Sequence, residues 1–289
     1  AFTVGDRVEA GTSPLWIVVL AVADFILPIR LEWIAALLGL AATAAGVLIA
    51  VNASARLVGR QSQARYLVPL GALIYVVLPP AWDYATSGLE NGLSVLWIAA
   101  CWAALANRAL GDGDAVVHPP ERRRVWHVAL LVGLGPFVRP DFALFTITFL
   151  VALVLLGPRD WRRVAGTIGW VLAIPVVGSI LRMAYYGIPV PNTAIAKEAS
   201  KSYLHQGLVY ARDFVQPYAL FLPVAIVAIA FLWPVVRRNP AAAQPYRQLT
   251  VVVIVGAAVH ALYFVRVGGD FMHGRMLLAP LFVGLLPVM

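Results

Sequence analysis

Tyr185-Tyr186-Gly187-Ile188-Pro189-Val190-Pro191-Asn192-Thr193-Ala194-Ile195-Ala196-Lys197 is a polar interruption between two apolar runs, 164–186 and 217–236. The interruption continues through Lys201, His205 and Arg212 before the apolar pattern returns at Pro217. Each flanking run is long enough to cross about 30 Å of hydrocarbon, which takes about 20 residues of helix. The connection mixes aromatics, two prolines, an Asn-Thr pair and spaced cations, and long loops of compact folds tend to carry function, so it is read as part of a site. Pro189 and Pro191 flank Val190. They fix φ and remove two donors, so residues 187–191 are expected to form an extended turn. Asn192 or Thr193 can cap a new helix, along which Lys197, Lys201 and His205 recur every four residues on one cationic face. Two readings of that face stay open: a helix lying on lipid headgroups, and a surface that binds phosphate.

Working outward, the whole chain repeats this alternation. It is 61% hydrophobic and only 12% charged, with a mean hydropathy of +0.83, which excludes an ordinary soluble domain and gives an all-α, polytopic transmembrane protein. Spans are expected near 33–51, 66–82, 92–109, 125–138, 142–156, 164–186, 217–236 and 249–265, with an incomplete one from Met276. The run 15–28 is short and interrupted by Asp24, and is read as a juxtamembrane or re-entrant helix within an outer segment, 1–32. The remainder, 33–289, then holds about eight complete spans and a truncated one. No internal repeat or soluble domain is apparent. The single cysteine, Cys101, lies in an apolar run, so there is no disulfide framework or thiolate metal cluster.

The net charge of +8 does not point to nucleic acid, because the arginines sit in short loops between spans. Arg56, Arg60 and Arg65, then Arg108 and Arg122 to Arg124, then Arg159, Arg162 and Arg163, then Arg237, Arg238 and Arg247 form four basic connections. By the positive-inside rule these face the cytoplasm. The alternate connections must then face outward, and the unusual polar residues collect there: Asp83, Glu90, Arg139, Asp141, Asn192, Lys197, Lys201, Asp270, His273 and Arg275. Glu9 belongs to the outer segment before the first span. Charge at membrane depth is costly and marks a water-filled site or a functional pair, so a cavity open to the outside is expected.

Three stretches carry the chemistry of that cavity. Arg139-Pro140-Asp141 breaks an apolar run, and an arginine suits bidentate capture of phosphate; the alternative is a local ion pair that tightens the turn. Ser87-Gly88-Leu89-Glu90 puts an acid at a helix start, where simple capping is as good a reading as substrate binding. Gly268-Gly269-Asp270-Phe271-Met272-His273-Gly274-Arg275 combines glycines that let a ligand approach backbone with an acid, an imidazole and a guanidinium. Arg275 is read as an anion contact and Asp270 as a sugar or metal contact. One Asp and one His are too few to define a metal site, so a divalent metal cofactor stays open. His260, inside a span, reads as a packed or hydrogen-bonded histidine. No Walker loop, dinucleotide fingerprint, zinc box or nucleophile elbow is present.

Together the Tyr-Tyr-Gly-x-Pro-x-Pro-Asn-Thr-x-x-x-Lys loop, the Gly-Gly-Asp-Phe-Met-x-x-Arg segment and an early Gly5-Asp6-Arg7-Val8-Glu9-Ala10-Gly11-Thr12-Ser13-Pro14-Leu15-Trp16 are similar to the terminal β-(1→2)-arabinofuranosyltransferases of mycobacteria and related actinobacteria. These are GT-C membrane glycosyltransferases, and the resemblance runs from Asp6 to Arg275. It implies an inverting enzyme of the plasma membrane that uses decaprenyl-phosphoryl-arabinofuranose as lipid donor. The implied acceptor is the arabinan of arabinogalactan and lipoarabinomannan, outside the membrane. It also implies a catalytic Asp in a first outer loop preceding Ala1 and an extracytoplasmic C-terminal domain, so that this chain is expected to be a partial GT-C membrane domain, inactive alone. On the residues alone, donor phosphate or sugar contacts are assigned to Arg139, Asp141, Asn192, Lys197, Asp270, His273 and Arg275, with Glu9, Asp83, Glu90 and Lys201 as further candidates.

Two other functions compete. A polyprenyl-phosphate-sugar transferase of similar fold, such as a mannosyltransferase, would share every feature above. A transporter would show paired broken helices in two halves, and no halves are visible. The sequence carries no signal of oligomeric state.

Overall fold

The computed structural model describes residues 9, 11–59, 67–111, 125–157, 160–188, 202–225 and 244–289. Among these residues every regular element is helical. Four helices are long and apolar enough to cross a membrane, as the hydropathy of the sequence requires. They are α2 (Leu31–Gly59), α5 (Asn91–Leu110), α9 (Trp161–Tyr186) and α11 (Gln244–Val267). Shorter helices fill the bundle: α1 (Pro14–Ile26), α3 (Leu70–Val77), α4 (Pro79–Thr86), α6 (Val125–Gly133), α7 (Gly135–Val138), α8 (Ala143–Leu156), α10 (Leu204–Val215) and α12 (Arg275–Leu285). Single 3-10 turns follow α7 at Pro140–Phe142 and α12 at Leu286–Val288.

The most extensive packing is between α2 and α5, and it depends on backbone approach. A Cβ at Gly92 would meet the carbonyl of Gly39. A Cβ at Gly39 would in turn meet that of Ala85, so small residues set the helix separation here. At the far end of the pair Ser54 Oγ donates to the Leu286 carbonyl at 2.5 Å and accepts from Trp102 Nε1 at 2.8 Å, which leaves no unpaired polar group at the junction of α2, α5 and the last turn. Phe142, Phe145, Phe149 and Trp97 form an aromatic centre between α5 and α8. Outside this core, α9 buries only Val171 and exposes Trp170, Val176, Val177, Ile180 and Leu181, the pattern of a helix facing lipid.

Contacts between elements define two ends. Gly157 after α8 lies against Arg108 at the end of α5, while Tyr246 of α11 donates to Pro287; this is the end that carries the arginines. At the opposite end Trp16 Nε1 donates to the Gly88 carbonyl at 2.9 Å and Tyr84 donates to that of His273 at 2.9 Å. Helix α1 lies at this same end, where its Trp16 meets Gly88. At 13 residues it is about 20 Å long, too short to cross; only Trp16 is buried, and Ile17, Val18, Val22, Phe25 and Ile26 are exposed.

Of the expected spans, 33–51, 92–109, 164–186 and 249–265 lie in the four long helices, whereas 125–138 is divided at Leu134 into α6 and α7 and 142–156 forms the shorter α8. The run 66–82 is not a single helix, because Leu78 is extended (φ −75°, ψ 119°) before Pro79-Pro80 and splits it into α3 and α4. The helical region is disfavoured for a residue before proline, and two successive prolines remove two of the donors a continuing helix needs. The pair still runs from the arginine end, where Gly71 touches Leu285, to the opposite end at Tyr84. Most of the expected span 217–236 lies outside the described residues.

Candidate active site

The end opposite the arginines holds a buried ionic chain assembled from five parts of the sequence. Glu90 and Asn91 come from the cap and first residue of α5, Arg139 and Asp141 from the break between α7 and α8, and His260 from α11. Asp270 lies in the glycine loop, and Arg275 opens α12. The break exists because Arg139 is extended (φ −156°, ψ 140°) ahead of Pro140, which turns both flanking side chains into the bundle.

Within the chain of contacts, Arg275 Nη2 donates to Glu90 Oε1 at 2.8 Å, and Nε to Asn91 Oδ1 at 3.4 Å. Its Nη1 lies 3.7 Å from Asp270 Oδ2. Arg139 Nε donates to Asp141 Oδ1 at 3.1 Å, and its Nη1 lies 3.7 Å from the same Glu90 Oε1. Glu90 therefore bridges the two guanidiniums. The other oxygen of Asp141 is 2.9 Å from His260 Nε2; an ionised carboxylate only accepts, so Nε2 carries the proton. The His260 ring stacks on Phe145 with centroids 4.2 Å apart.

Solvent hardly reaches these groups: the Arg139, Glu90 and Asp270 side chains are 5%, 7% and 5% exposed. Burial alone would lower the Arg139 pKa, but the Asp141 and Glu90 carboxylates outweigh it and hold the group above its ordinary value. Burial would raise the Asp141 pKa, and Arg139 and His260 together hold it below the ordinary carboxylate range. Three carboxylates, Glu90, Asp141 and Asp270, face two guanidiniums, so with His260 neutral the cluster holds one excess negative charge.

The glycine loop closes over this cluster. Gly268, Gly269 and Gly274 all have positive φ, at 92°, 80° and 66°, a region that L side chains rarely enter. A Cβ at Gly269 would meet the Tyr210 ring and one at Gly274 the Phe214 ring, so the loop lies directly against α10. Tyr210 holds it from both sides, donating to the Met272 carbonyl at 3.1 Å and accepting from the Met276 amide at 3.0 Å. Burial pushes the Tyr210 hydroxyl pKa up to about 12.

The structure thus gathers Glu90, Arg139, Asp141, Asp270 and Arg275 into one cluster, and places Glu9, Asp83 and His273 outside it. The Arg139–Asp141 pair does tighten its turn as the local reading had it, yet both residues also reach distant partners. Glu90 makes no side-chain cap bond at the start of α5; Arg275 takes it instead, so simple capping is not its role. The His273 ring sits at the rim, with Tyr218 Oη 3.3 Å from Nε2, and Asp83 is exposed. Glu9 accepts two bonds from Arg182, at 2.8 and 3.2 Å, tying the N-terminal segment to the end of α9. Asn192, Lys197 and Lys201 lie outside the described residues. Sequence reasoning missed Asn91, Tyr84 and Tyr210, since a tyrosine in or beside an apolar helix carries no pattern that separates a loop clamp from core. No group of three or more His, Cys, Asp or Glu residues able to hold a metal occurs among the described residues.

Two relatives are similar to nearly the whole of this chain. A protein of Mycobacterium tuberculosis named terminal β-(1→2)-arabinofuranosyltransferase is 37% identical over 315 residues, covering 99% of this chain and 48% of its own length. A protein of the same name from Corynebacterium glutamicum is 39% identical over 305 residues, covering 99% of this chain and 44% of its own length. The chain thus spans about half the length of the curated relatives it matches. No protein-family model and no solved structure matches it.

Proposed function

We propose that this chain, a homologue of the terminal β-(1→2)-arabinofuranosyltransferases along nearly its entire length, is the membrane-embedded part of a glycosyltransferase that moves arabinofuranose from a polyprenyl-phosphoryl donor to an arabinan acceptor. The donor proposed is decaprenyl-phosphoryl-arabinofuranose, and the reaction is placed at the extracytoplasmic face of the plasma membrane. The observation that carries this reading is the buried chain of Asp270, Arg275, Glu90, Arg139, Asp141 and His260 at the end of the bundle opposite its arginine loops. A transferase for a lipid-linked donor needs a polar site at one membrane face, cations for the leaving phosphate and acceptors for sugar hydroxyls.

The charge tally supports a division of labour. Both guanidiniums are matched to carboxylates, and the cluster is negative by one charge, a poor receptor for a phosphate. Its role is then to shape the pocket and to accept from sugar hydroxyls at its rim. The phosphate is left to cations outside it, with Lys197 and Lys201 the candidates, and Asn192 supplying both donor and acceptor to the sugar. Turnover of the full-length enzyme on a synthetic polyprenyl-phosphoryl-arabinofuranose tests this. Lys197→Met should reduce turnover by about a hundredfold or more if the lysine meets charge developing on the phosphate, with Arg212→Gln as an exposed control. Turnover of Lys197→Met within about threefold of wild type would remove Lys197 from the site. Absence of arabinosyl transfer by the wild-type enzyme would overturn the assignment as a whole.

A further inference from the structure

Phe271 is 86% exposed, although it lies at the centre of the most heavily tethered loop in the described protein. Its own amide donates to Asp270 Oδ1 at 2.9 Å. The carbonyl of Met272 is held by Tyr210, that of His273 by Tyr84, and the Gly269 amide donates to the Phe264 carbonyl at 2.8 Å. Three glycines in positive φ, two of them pressed against Tyr210 and Phe214, add to these tethers, and the loop carries the Phe271 ring exposed. Leaving such a ring in water forgoes about 1.5 to 3 kcal/mol of burial, which a ligand packed on it would recover.

Its surroundings separate it from the lipid-facing side chains. Phe25, which is 93% exposed, sits on α1 among the exposed apolar Val22, Ile26 and Leu27. The loop that carries Phe271 also holds Asp270, His273 and Arg275; the His273 ring meets the Tyr218 hydroxyl, its carbonyl accepts from Tyr84, and Asp83 beside Tyr84 is exposed. A ring bordered by carboxylates, hydroxyls and an imidazole matches a carbohydrate, whose C–H face packs on an aromatic plane while its hydroxyls reach polar groups at the edge.

We propose that Phe271 is a stacking platform for a sugar ring of the acceptor glycan, with Asp83, Tyr218 and His273 as the polar rim that meets its hydroxyls. This rests on the glycosyltransferase reading above. The acceptor is favoured over the donor because the groups named around the loop offer hydroxyl partners and, among these described residues, no unmatched cation for a phosphate. The excess negative charge beneath it suits a neutral glycan better than an anionic one.

The test uses the full-length enzyme with a synthetic arabinofuranosyl oligosaccharide, and separates binding from turnover. Saturation-transfer NMR without donor reads glycan contact directly; initial rates at saturating donor and at saturating acceptor read the two KM values. Phe271→Ala should weaken glycan binding and raise the acceptor KM by about tenfold, leaving donor KM and kcat within about twofold, while Phe271→Trp should restore the acceptor KM. Unchanged glycan binding in Phe271→Ala would overturn the proposal, as would a change confined to donor KM. A fall in thermal stability not recovered by Phe271→Trp would instead assign the ring to packing within the whole protein. If the wild-type protein binds the glycan but transfers nothing, the glycosyltransferase reading fails and the NMR comparison still decides the role of Phe271.

Discussion

Replacing Arg139 by methionine removes a buried cation while keeping most of its volume. In the native cluster Arg139 is 3.1 Å from Asp141 and 3.7 Å from Glu90, and the three side chains are 5%, 13% and 7% exposed, so solvent screens them little. After the change, three carboxylates face the single guanidinium of Arg275. Glu90 keeps its 2.8 Å bond to Arg275, but Asp141 keeps only His260 at 2.9 Å. Breaking a buried pair by removal of one partner costs about 3 to 5 kcal/mol; proton uptake by His260 would recover part of this, which places the expected loss at about 3 kcal/mol, toward the lower limit of that range. The double variant Arg139→Met/Asp141→Asn removes the cation with its nearest anion and returns the excess to one negative charge. It should therefore lose less than the sum of the single losses, by at least about 1.5 kcal/mol, since charge pairs this close couple by that much or more. Unfolding in mixed micelles titrated with sodium dodecyl sulfate, followed by tryptophan fluorescence, measures all four species of the cycle. An Arg139→Met loss below about 1 kcal/mol, or strict additivity in the double variant, would refute the electrostatic account of this cluster.

Gly269→Ala should destabilise by about 1 to 2 kcal/mol from its backbone conformation alone, and further because the methyl meets Tyr210, whereas Gly166→Ala in α9, with no neighbour within 4 Å, should be neutral or stabilising; equal melting temperatures for the two variants would count against the tethered loop. Tyr210 favours its neutral form in the folded protein, so its contribution to stability is complete below the ordinary tyrosine pKa of about 10 and is lost as pH rises through about 12. Ultraviolet difference titration against Tyr210→Phe should locate its ionisation near pH 12, and a step near pH 10 would place the hydroxyl in solvent instead. For the proposed sidedness, a cysteine at Ser202 should react with an impermeant reagent on intact cells and one at Gln61 only after permeabilisation; the reverse pattern would invert the orientation.

The gathering of charge at one end was legible because hydropathy locates the helix ends and the arginines label alternate connections. What joins those charges was not. Glu90 and Arg275 are 185 residues apart, and their bond follows from how α5 and α12 pack, which no local pattern encodes. The reading of 66–82 as one helix failed because a hydropathy window averages over Pro79-Pro80, although the prolines themselves were a visible sign of the break. His260 read as hydrogen-bonded, and it is, but its partner Asp141 lies 119 residues away. Tyr84 and Tyr210 escaped notice because their function is in the hydroxyl contact with loop carbonyls, while their position in the sequence resembles that of any interfacial aromatic.

The cluster is also a poor way to hold helices together, and that bears on why it is there. The largest helix contact, between α2 and α5, is made by close backbone approach at Gly39, Gly46 and Gly92, with Ser54 and Trp102 closing its far end. None of this needs a carboxylate. Desolvating several charges costs several kcal/mol per ion, and apolar side chains of similar volume often do as well or better. The arrangement carries a charge imbalance of one, so it is not optimised as a closed salt-bridge network. Its members converge from five segments beneath one loop, and that loop carries an exposed imidazole and an exposed phenyl ring at the same end of the bundle. On the proposed reading, such an arrangement at one end of the bundle serves a polar ligand, since helix packing alone gives no reason to bury these charges.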